Sequence, residues 1–314
     1  MNSNHHNFAR QTGFSLMEAV VVIAISGIIV AAVALFIRAP ITGYVDTAHR
    51  AELTDIADTA LRRIGRDLRT ALPNSIRVTS VGSVYFLEYL EVRTGGRYRA
   101  VTSGAATAPV CPSDDTRVTD NDILSFYQSG NGKETCFKTL GNIPNRAQIV
   151  NTDFVVVFNL GIPGADAYEN GNVTGGNKAQ INTLPTTSGG EDRFDLQFNN
   201  SNPFRLPSPG YRFHVITGPV SYVCDPVGGT LRRYSGYAIQ ASQPNSTGAA
   251  PLSTAPVNAL LASHVSACSF TYNASVVAQR DGLVTISLSV AEADSQGANE
   301  TVTLYESAHV SNVP

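Results

Sequence analysis

The stretch that decides the fold is GFSLMEAVVVIAISGIIVAAVALFI, residues 13–37 of the 314-residue chain. From Ala19 to Ile37 it contains no charged side chain. At about 1.5 Å of rise per residue, a helix of this length reaches roughly 28 Å, close to the thickness of a bilayer's hydrocarbon core. The sequence therefore predicts a helix that can span a membrane, with one acidic residue, Glu18, near its start.

The orientation of this helix follows from its flanks. The preceding segment, MNSNHHNFARQTG (residues 1–13), carries Arg10 as its only charged side chain, so the positive-inside rule keeps it cytoplasmic and sends the rest of the chain outward. Arg38 weakens this bias without reversing it. A secretory signal cut after Ala31-Ala32-Val33-Ala34 is the alternative, because small residues follow the apolar core there. The length of the apolar run favours a helix that is retained.

A second helical pattern continues directly from the apolar run. Apolar residues recur at steps of three and four between Tyr44 and Leu72, which predicts an amphipathic helix with one buried stripe. Pro73 is expected to end it, and Pro40 and Gly43 to bend or loosen it. We assign residues 14–38 to a membrane helix and 39–73 to its amphipathic continuation. The stripe is Val45, Ala48, Leu53, Ile56, Ala57, Ala60, Leu61, Ile64, Leu68 and Leu72.

Residues 74–314 are predicted to form a β-rich head, because the periodicity changes after Pro73 to alternation of apolar and polar residues. A hairpin is expected at Thr94-Gly95-Gly96, within 75–101. The fold class is α+β, with the long helix packed on antiparallel sheets. Two lobes, 75–200 and 201–314, are suggested without a clear linker. Further strands are expected at 123–127, 154–159, 194–198, 211–218, 221–224, 231–241, 266–272, 283–290 and 300–306.

Composition and cysteine usage limit the classes of function. A net charge of −3 and a pI of about 6.1 leave no basic surface for nucleic acid, so nucleic acid is not expected as a partner. The even number of cysteines in an exported chain predicts two disulfides. Three pairings are open; the sequential one is favoured because its loops do not cross, and each bond would contribute roughly 3 to 4 kcal/mol. The cysteines are Cys111, Cys136, Cys224 and Cys268.

The sequence gives only weak indications of a metal site or a catalytic site. Oxygen ligands in GADAYENGNVTGGN (164–177) could bind calcium, but the spacing is not that of an EF-hand, so a solvated loop is favoured. A second acidic stretch follows Cys111. No cofactor, metal or enzymatic activity is expected, because no hydrolase, zinc or P-loop motif occurs. The residues concerned are Asp166, Glu169, Asn170 and Asn172; Asp114, Asp115, Asp120 and Asp122; and His49, His214, His264 and His309.

The segment Gly13, Phe14, Ser15, Leu16, Met17, Glu18 reads G-F-x-x-x-E before a long apolar helix. It resembles the class III signal of type IV pilins and of type II secretion pseudopilins. The resemblance implies that residues 1–13 are a leader, which a prepilin peptidase/N-methyltransferase removes by cutting between Gly13 and Phe14 before it methylates the new amine. It also implies a role in subunit registration for Glu18, through an ion pair with the amine of the subunit above.

Further stretches, at 60–78, 213–237, 281–290 and 304–314, are similar to minor pilins of the mannose-sensitive haemagglutinin (MSHA) pilus and, more distantly, to J-type minor pseudopilins. Partners implied by this resemblance are other minor pilins, the major pilin, the assembly platform of the inner membrane and inner-membrane lipid. The implied localisation is a single-pass inner-membrane protein with a periplasmic head, which later lies at the pilus tip.

The leading hypothesis is a minor pilin that primes or forms the tip complex. Three alternatives stay open: a type II secretion pseudopilin, a tip adhesin that uses residues 102–200 to bind a surface or glycan, and an anchored enzyme. The basic run Arg62, Arg63, Arg66 and Arg69 is explained equally well by acidic neighbours in a filament and by solvent.

Overall fold

The computed structural model describes residues 13–100, 111, 122–126, 136–169, 176–197, 204–272, 281–293 and 297–314, without the side chains of 38–42. In these residues it contains one α-helix and twelve β-strands. The helix α1 is Leu16–Leu68. The strands are β1 Arg77–Val81, β2 Val84–Arg97, β3 Cys136–Lys138, β4 Phe154–Val157, β5 Lys178–Ser188, β6 Glu191–Gln197, β7 Arg212–Asp225, β8 Thr230–Ser235, β9 Val257–Ala262, β10 Val265–Tyr272, β11 Asp281–Ala293 and β12 Asn299–Ser311.

Helix α1 is continuous through Pro40 and Gly43 and ends at Leu68, five residues before Pro73. The predicted end at Pro73 was too late, because the backbone after Leu68 pairs with β2. The Val92 N–H donates to the Thr70 carbonyl at 2.9 Å, and the Leu72 N–H donates to the Leu90 carbonyl at 2.8 Å. These bonds draw the chain out of the helix before the proline is reached.

The chain divides into two compact units, Met1–Glu52 with Ala293–Glu300, and Leu53–Glu292 with Thr301–Pro314. In the first unit, large apolar side chains of α1 are exposed, and the Arg50 guanidinium donates to the Glu300 carboxylate. The second unit contains a nine-stranded and a three-stranded sheet.

The nine-stranded sheet has the order β1-β2-β7-β4-β5-β6-β3, and β8 joins it by pairing with β7 and β9. Each of its registered strand pairs is antiparallel. Because β7 pairs with β2, β4 and β8, strands from before and after residue 200 belong to one sheet. The suggested division into lobes 75–200 and 201–314 is therefore not seen.

The second unit's main core contains the buried stripe of α1 and side chains from both sheets. Leu53, Ala57, Ile64 and Leu68 are each at most 1% exposed and share one cluster with residues of β2, β7, β10 and β11. In β11, buried and more exposed residues alternate, as a sheet with one covered face requires. This part of the helix and the sheets thus share one apolar core, as the three- and four-residue spacing predicts from Leu53 onward. In the predicted stripe, Ala48 is exposed and Val45 is only half-buried.

The predicted hairpin at Thr94-Gly95-Gly96 is wrong. Those residues lie within β2 and pair with β7, and the tight turn falls at Gly82 and Ser83, between β1 and β2. The glycines allow close packing: a Cβ at Gly96 would lie 2.7 Å from Ile143 Cγ2. A glycine pair within a strand therefore marks a close approach here.

Other strand predictions differ in extent. Residues 123–126 form no strand, and the two segments predicted at 211–218 and 221–224 are one strand, β7. Strand β8 ends at Ser235, well before the predicted 241. Strands β3, β5 and β9 were not predicted, because their mixed composition lacks a regular alternation.

Candidate functional site

The first candidate site is the start of α1. Gly13 and Phe14 precede the helix and are exposed, and 80% of Phe14 is accessible to solvent. Ser15 caps the helix: its Oγ accepts a hydrogen bond from the Glu18 N–H at 3.2 Å, and its carbonyl accepts from the Ala19 N–H at 3.1 Å. The bond between Gly13 and Phe14 therefore lies in accessible, non-helical backbone directly before a capped helix.

Sequence reasoning missed the role of Ser15, although the signal was present. Ser15 and Glu18 stand in the order S-x-x-E, which is the pattern of a capping box at a helix start. Glu18 consequently lies in the first turn of α1, where the partial positive charge of the helix N-terminus favours an acid. The same residue thus serves local helix initiation as well as any role in assembly.

Glu18 is exposed and makes no ion pair within the part of the chain that the structure describes. In hydrocarbon, an unpaired carboxylate costs about 2.5 to 3.5 kcal/mol on insertion scales. A cation from outside the described residues would remove that penalty. The position of Glu18 therefore favours pairing with a cation near the start of the helix.

The helix that follows is apolar and uncovered. Leu16–Ile37 has a mean hydropathy of 3.1, and none of its most apolar window is buried. Twenty-two residues are sufficient to cross a bilayer. Side chains such as Ile28 and Phe36 are 70% and 81% exposed, so this surface requires lipid or protein around it.

These features define a chain with one apolar N-terminal helix compatible with a single-pass membrane anchor, preceded by an accessible Gly-Phe bond. The family model described as the prokaryotic N-terminal methylation motif matches residues 8–34. This match indicates a protein of the type IV pilin or pseudopilin type, for which processing by prepilin peptidase and assembly with other pilins are implied. The comparisons with curated proteins and with solved structures returned no match.

The four cysteines form two disulfides, Cys111–Cys136 and Cys224–Cys268, which is the sequential pairing. The second bond joins β7 of the large sheet to β10 of the small sheet. Disulfides persist mainly in oxidising compartments, so both bonds are typical of an exported head.

The acidic stretches serve structural roles where the structure describes them. The Asp166 carboxylate accepts from the Tyr168 N–H at 2.9 Å, and Glu169 accepts from the Gly164 N–H at 2.9 Å. Asp122 pairs with Lys138 at 2.7 Å, and both side chains are almost fully buried. The other residues of the two stretches, Asp114, Asp115, Asp120, Asn170 and Asn172, lie outside the described residues.

The histidines give no metal site in the described residues, where no group of three His, Cys, Asp or Glu side chains converges. His214 lies on β7, and burial, together with Arg212, lowers its pKa to about 4. A neutral imidazole of this kind fits a packed position in the sheet. The catalytic hypothesis gains no support from His49, His264 or His309.

Two of the four arginines in the basic run form ion pairs with acids of α1. All four arginines are exposed; Arg62 contacts Asp58 at 2.7 Å, and Arg63 contacts Asp67 at 3.2 Å. Asp67 also accepts the Tyr222 hydroxyl at 2.6 Å and the Arg233 Nε at 3.1 Å. Asp67 thereby ties the end of α1 to the large sheet, a role that sequence reasoning missed.

Proposed function

We propose that this chain is a minor pilin of a type IV pilus, of the MSHA type and most similar to the subunit called MshO, and that it primes or forms the tip complex. The pilin-type part of the proposal is carried by the methylation motif at residues 8–34, which covers a Gly-Phe bond that is exposed before a capped apolar helix. The MSHA and MshO part rests on the sequence resemblance at 60–78, 213–237, 281–290 and 304–314. The role is structural rather than enzymatic.

In this proposal the peptidase cuts between Gly13 and Phe14 on the cytoplasmic side and methylates the Phe14 amine. The cut removes the leader and leaves α1 intact, because Ser15 and the whole helix lie after the bond. The apolar half of α1 then exchanges lipid for the helices of neighbouring subunits, which have a similar polarity. The disulfide-bonded head remains periplasmic until the filament carries it outward.

Glu18 supplies the register between subunits. Its carboxylate is unpaired within the described residues, and the mature amine of Phe14 is one helical turn away in sequence. A partner's amine placed at the level of Glu18 cancels the penalty of a buried charge, whereas any other axial offset leaves it. A subunit that keeps this acid needs the amine of another subunit above it. We therefore place this chain just below the topmost subunit.

The second candidate is a minor pseudopilin of type II secretion, because the same motif precedes both classes of subunit. Deletion of the gene in its own host separates the two. A minor pilin is required for surface pili, so we expect few or no pili by electron microscopy and normal secretion of extracellular enzymes. Normal piliation with lost secretion would overturn the pilin proposal in favour of the pseudopilin.

A further inference from the structure

The large sheet contains a fork on one edge of β7. Its other edge pairs with β2 from Arg212 to Cys224. On the forked edge, β4 pairs with β7 as far as Ile216, and β8 pairs with it from Val220 onward. Thr217, Gly218 and Pro219 have no registered strand partner on this edge among the described strands, so the sheet opens there.

A cavity of about 600 Å³ lies at this fork. Its walls come from the residues at and just before the start of β4 (Thr152 and Phe154), from β5 (Lys178 and Gln180), from β7 (Thr217) and from the segment after β8 (Tyr237). This volume is within the range of small-molecule sites and suits one or two sugar rings. Gly218, also in the wall, has a φ of +135°, a conformation that favours glycine.

Lys178, the charged residue in the cavity wall, already has hydrogen-bond partners. Lys178 Nζ donates to the carbonyls of Ala167 at 2.7 Å and of Glu169 at 3.0 Å. Burial lowers the pKa of Lys178 to about 8, while the nearby carboxylates of Asp166 and Glu169 act in the opposite direction. Because Nζ is directed toward these two carbonyls and the carboxylates of Asp166 and Glu169 are nearby, we do not expect Lys178 to make the cavity selective for an anion.

The Tyr237 hydroxyl is also hydrogen-bonded within the protein. It donates to the Glu88 carboxylate at 2.9 Å, and Glu88 in turn pairs with Arg77 at 2.6 Å. This buried group is satisfied internally and presents no net charge at the wall. Tyr237 therefore contributes mainly its ring to the cavity.

Uncharged hydrogen-bonding groups remain available. Thr152 is exposed at the mouth, and its hydroxyl has no partner among the described residues. Gln180 donates through Nε2 to the Asn151 carbonyl at 3.1 Å, which leaves its Oε1 as a free acceptor. Thr217 donates to the Glu91 carboxylate at 3.1 Å and keeps acceptor capacity. Phe154 adds a half-buried aromatic ring, whose centroid lies 5.4 Å from Lys178 Nζ on one face.

We propose that this fork cavity binds a neutral sugar, as a free monosaccharide or disaccharide or as the terminal unit of a glycan. Hydroxyl and amide groups without net charge match sugar hydroxyls, and an aromatic wall matches the apolar C–H face of a sugar ring. The binding role adds to the assembly role and does not depend on it, since every residue of the site lies in the second compact unit.

The test uses the full-length chain in detergent micelles and saturation-transfer-difference NMR with glucose, galactose, mannose and N-acetylglucosamine. Glucosamine and N-acetylneuraminate serve as a cationic and an anionic sugar. We expect at least one neutral sugar to show transfer and to bind more tightly than either charged sugar. Transfer from no neutral sugar, or a preference for a charged one, would overturn the proposal.

Variants locate the site. Thr152→Trp fills the mouth from an exposed position and should abolish binding, and Thr152→Val, which removes only the hydroxyl, should weaken it about threefold to tenfold. Thr301→Val, at an exposed position on β12, is the matched control and should bind like the unmodified chain. Unchanged binding by Thr152→Trp would place the sugar elsewhere and contradict the inference. Pilus counts for the same variants report on assembly separately.

Discussion

At the scale of single residues, Glu18 combines two demands that usually conflict. An acid in the first turn stabilises the helix start, beside the Ser15 cap, but an acid in an apolar span carries a cost in lipid. The conflict is resolved when a cation from another subunit lies at the same level. If the proposed registration role holds, we expect the carboxylate to be dispensable for insertion and required for assembly.

Glu18→Ala should therefore leave membrane insertion and leader removal largely intact and strongly reduce surface pili. The reason is that the variant helix is still apolar and still capped by Ser15, while the charge that sets the offset between subunits is gone. Pili are counted in the sheared fraction, and cleavage is followed by mass. Glu52→Ala, at another exposed acid of α1, is the matched control and should give the normal number of surface pili. Normal piliation by Glu18→Ala would remove the registration argument.

Substitution of Asp67 should affect the stability of the fold. Asp67→Asn keeps the shape but weakens the bonds from Tyr222 and Arg233, whose side chains lie against the core. We expect the free energy of unfolding to fall by about 1 to 3 kcal/mol, measured by denaturant unfolding of the full chain in detergent. Asp58→Asn, which breaks the more exposed contact with Arg62, should change stability far less. Equal effects of the two variants would contradict the assigned role of Asp67.

At the scale of elements, periodicity predicted the helix well and the strands only in part. The stripe from Leu53 to Leu68 is buried as the three- and four-residue spacing requires, because a helix shows its packed face in its own sequence. The end at Leu68 could not be read from the chain, since it depends on bonds to Leu90 and Val92, which are distant in sequence. Strand pairing has the same dependence on remote residues.

Gly95 and Gly96 show why local signals failed in β2. A glycine pair predicts a turn, but here the missing side chains admit neighbours, since a Cβ at Gly95 would lie 2.8 Å from the Phe213 carbonyl oxygen. Only the packed sheet reveals that contact. The fork beside Thr217 is equally invisible in sequence, because it arises from two strands that share one edge of β7.

Gly96→Ala should destabilise the second unit, because the added methyl group would overlap Ile143 Cγ2 at 2.7 Å. Overpacking of this kind costs about 1 to 3 kcal/mol. The loss is measured by thermal unfolding of the full chain in detergent. In a chain that already carries Ile143→Ala, which removes Cγ2, the further loss caused by Gly96→Ala should be smaller. A Gly96→Ala variant as stable as the unmodified chain would show that β2 and Ile143 are not packed as described.

At the scale of the whole molecule, the N-terminal segment could be assigned from sequence and the sites in the head could not. Gly13, Phe14 and Glu18 belong to one short motif, G-F-x-x-x-E, and the match at residues 8–34 supports the same class. The residues around the fork cavity come from four separate segments, so no local pattern unites them. The Cys224–Cys268 bond between the two sheets agrees with an exported head, although sequence alone left three pairings open.

The central claim is that the chain is processed as a prepilin and keeps its apolar helix. The most direct measurement is mass spectrometry of the N-terminus of the full-length protein extracted from membranes. We expect a mature chain that begins with N-methylated Phe14. A chain that begins after Ala34, or one that keeps residues 1–13 intact, would contradict it.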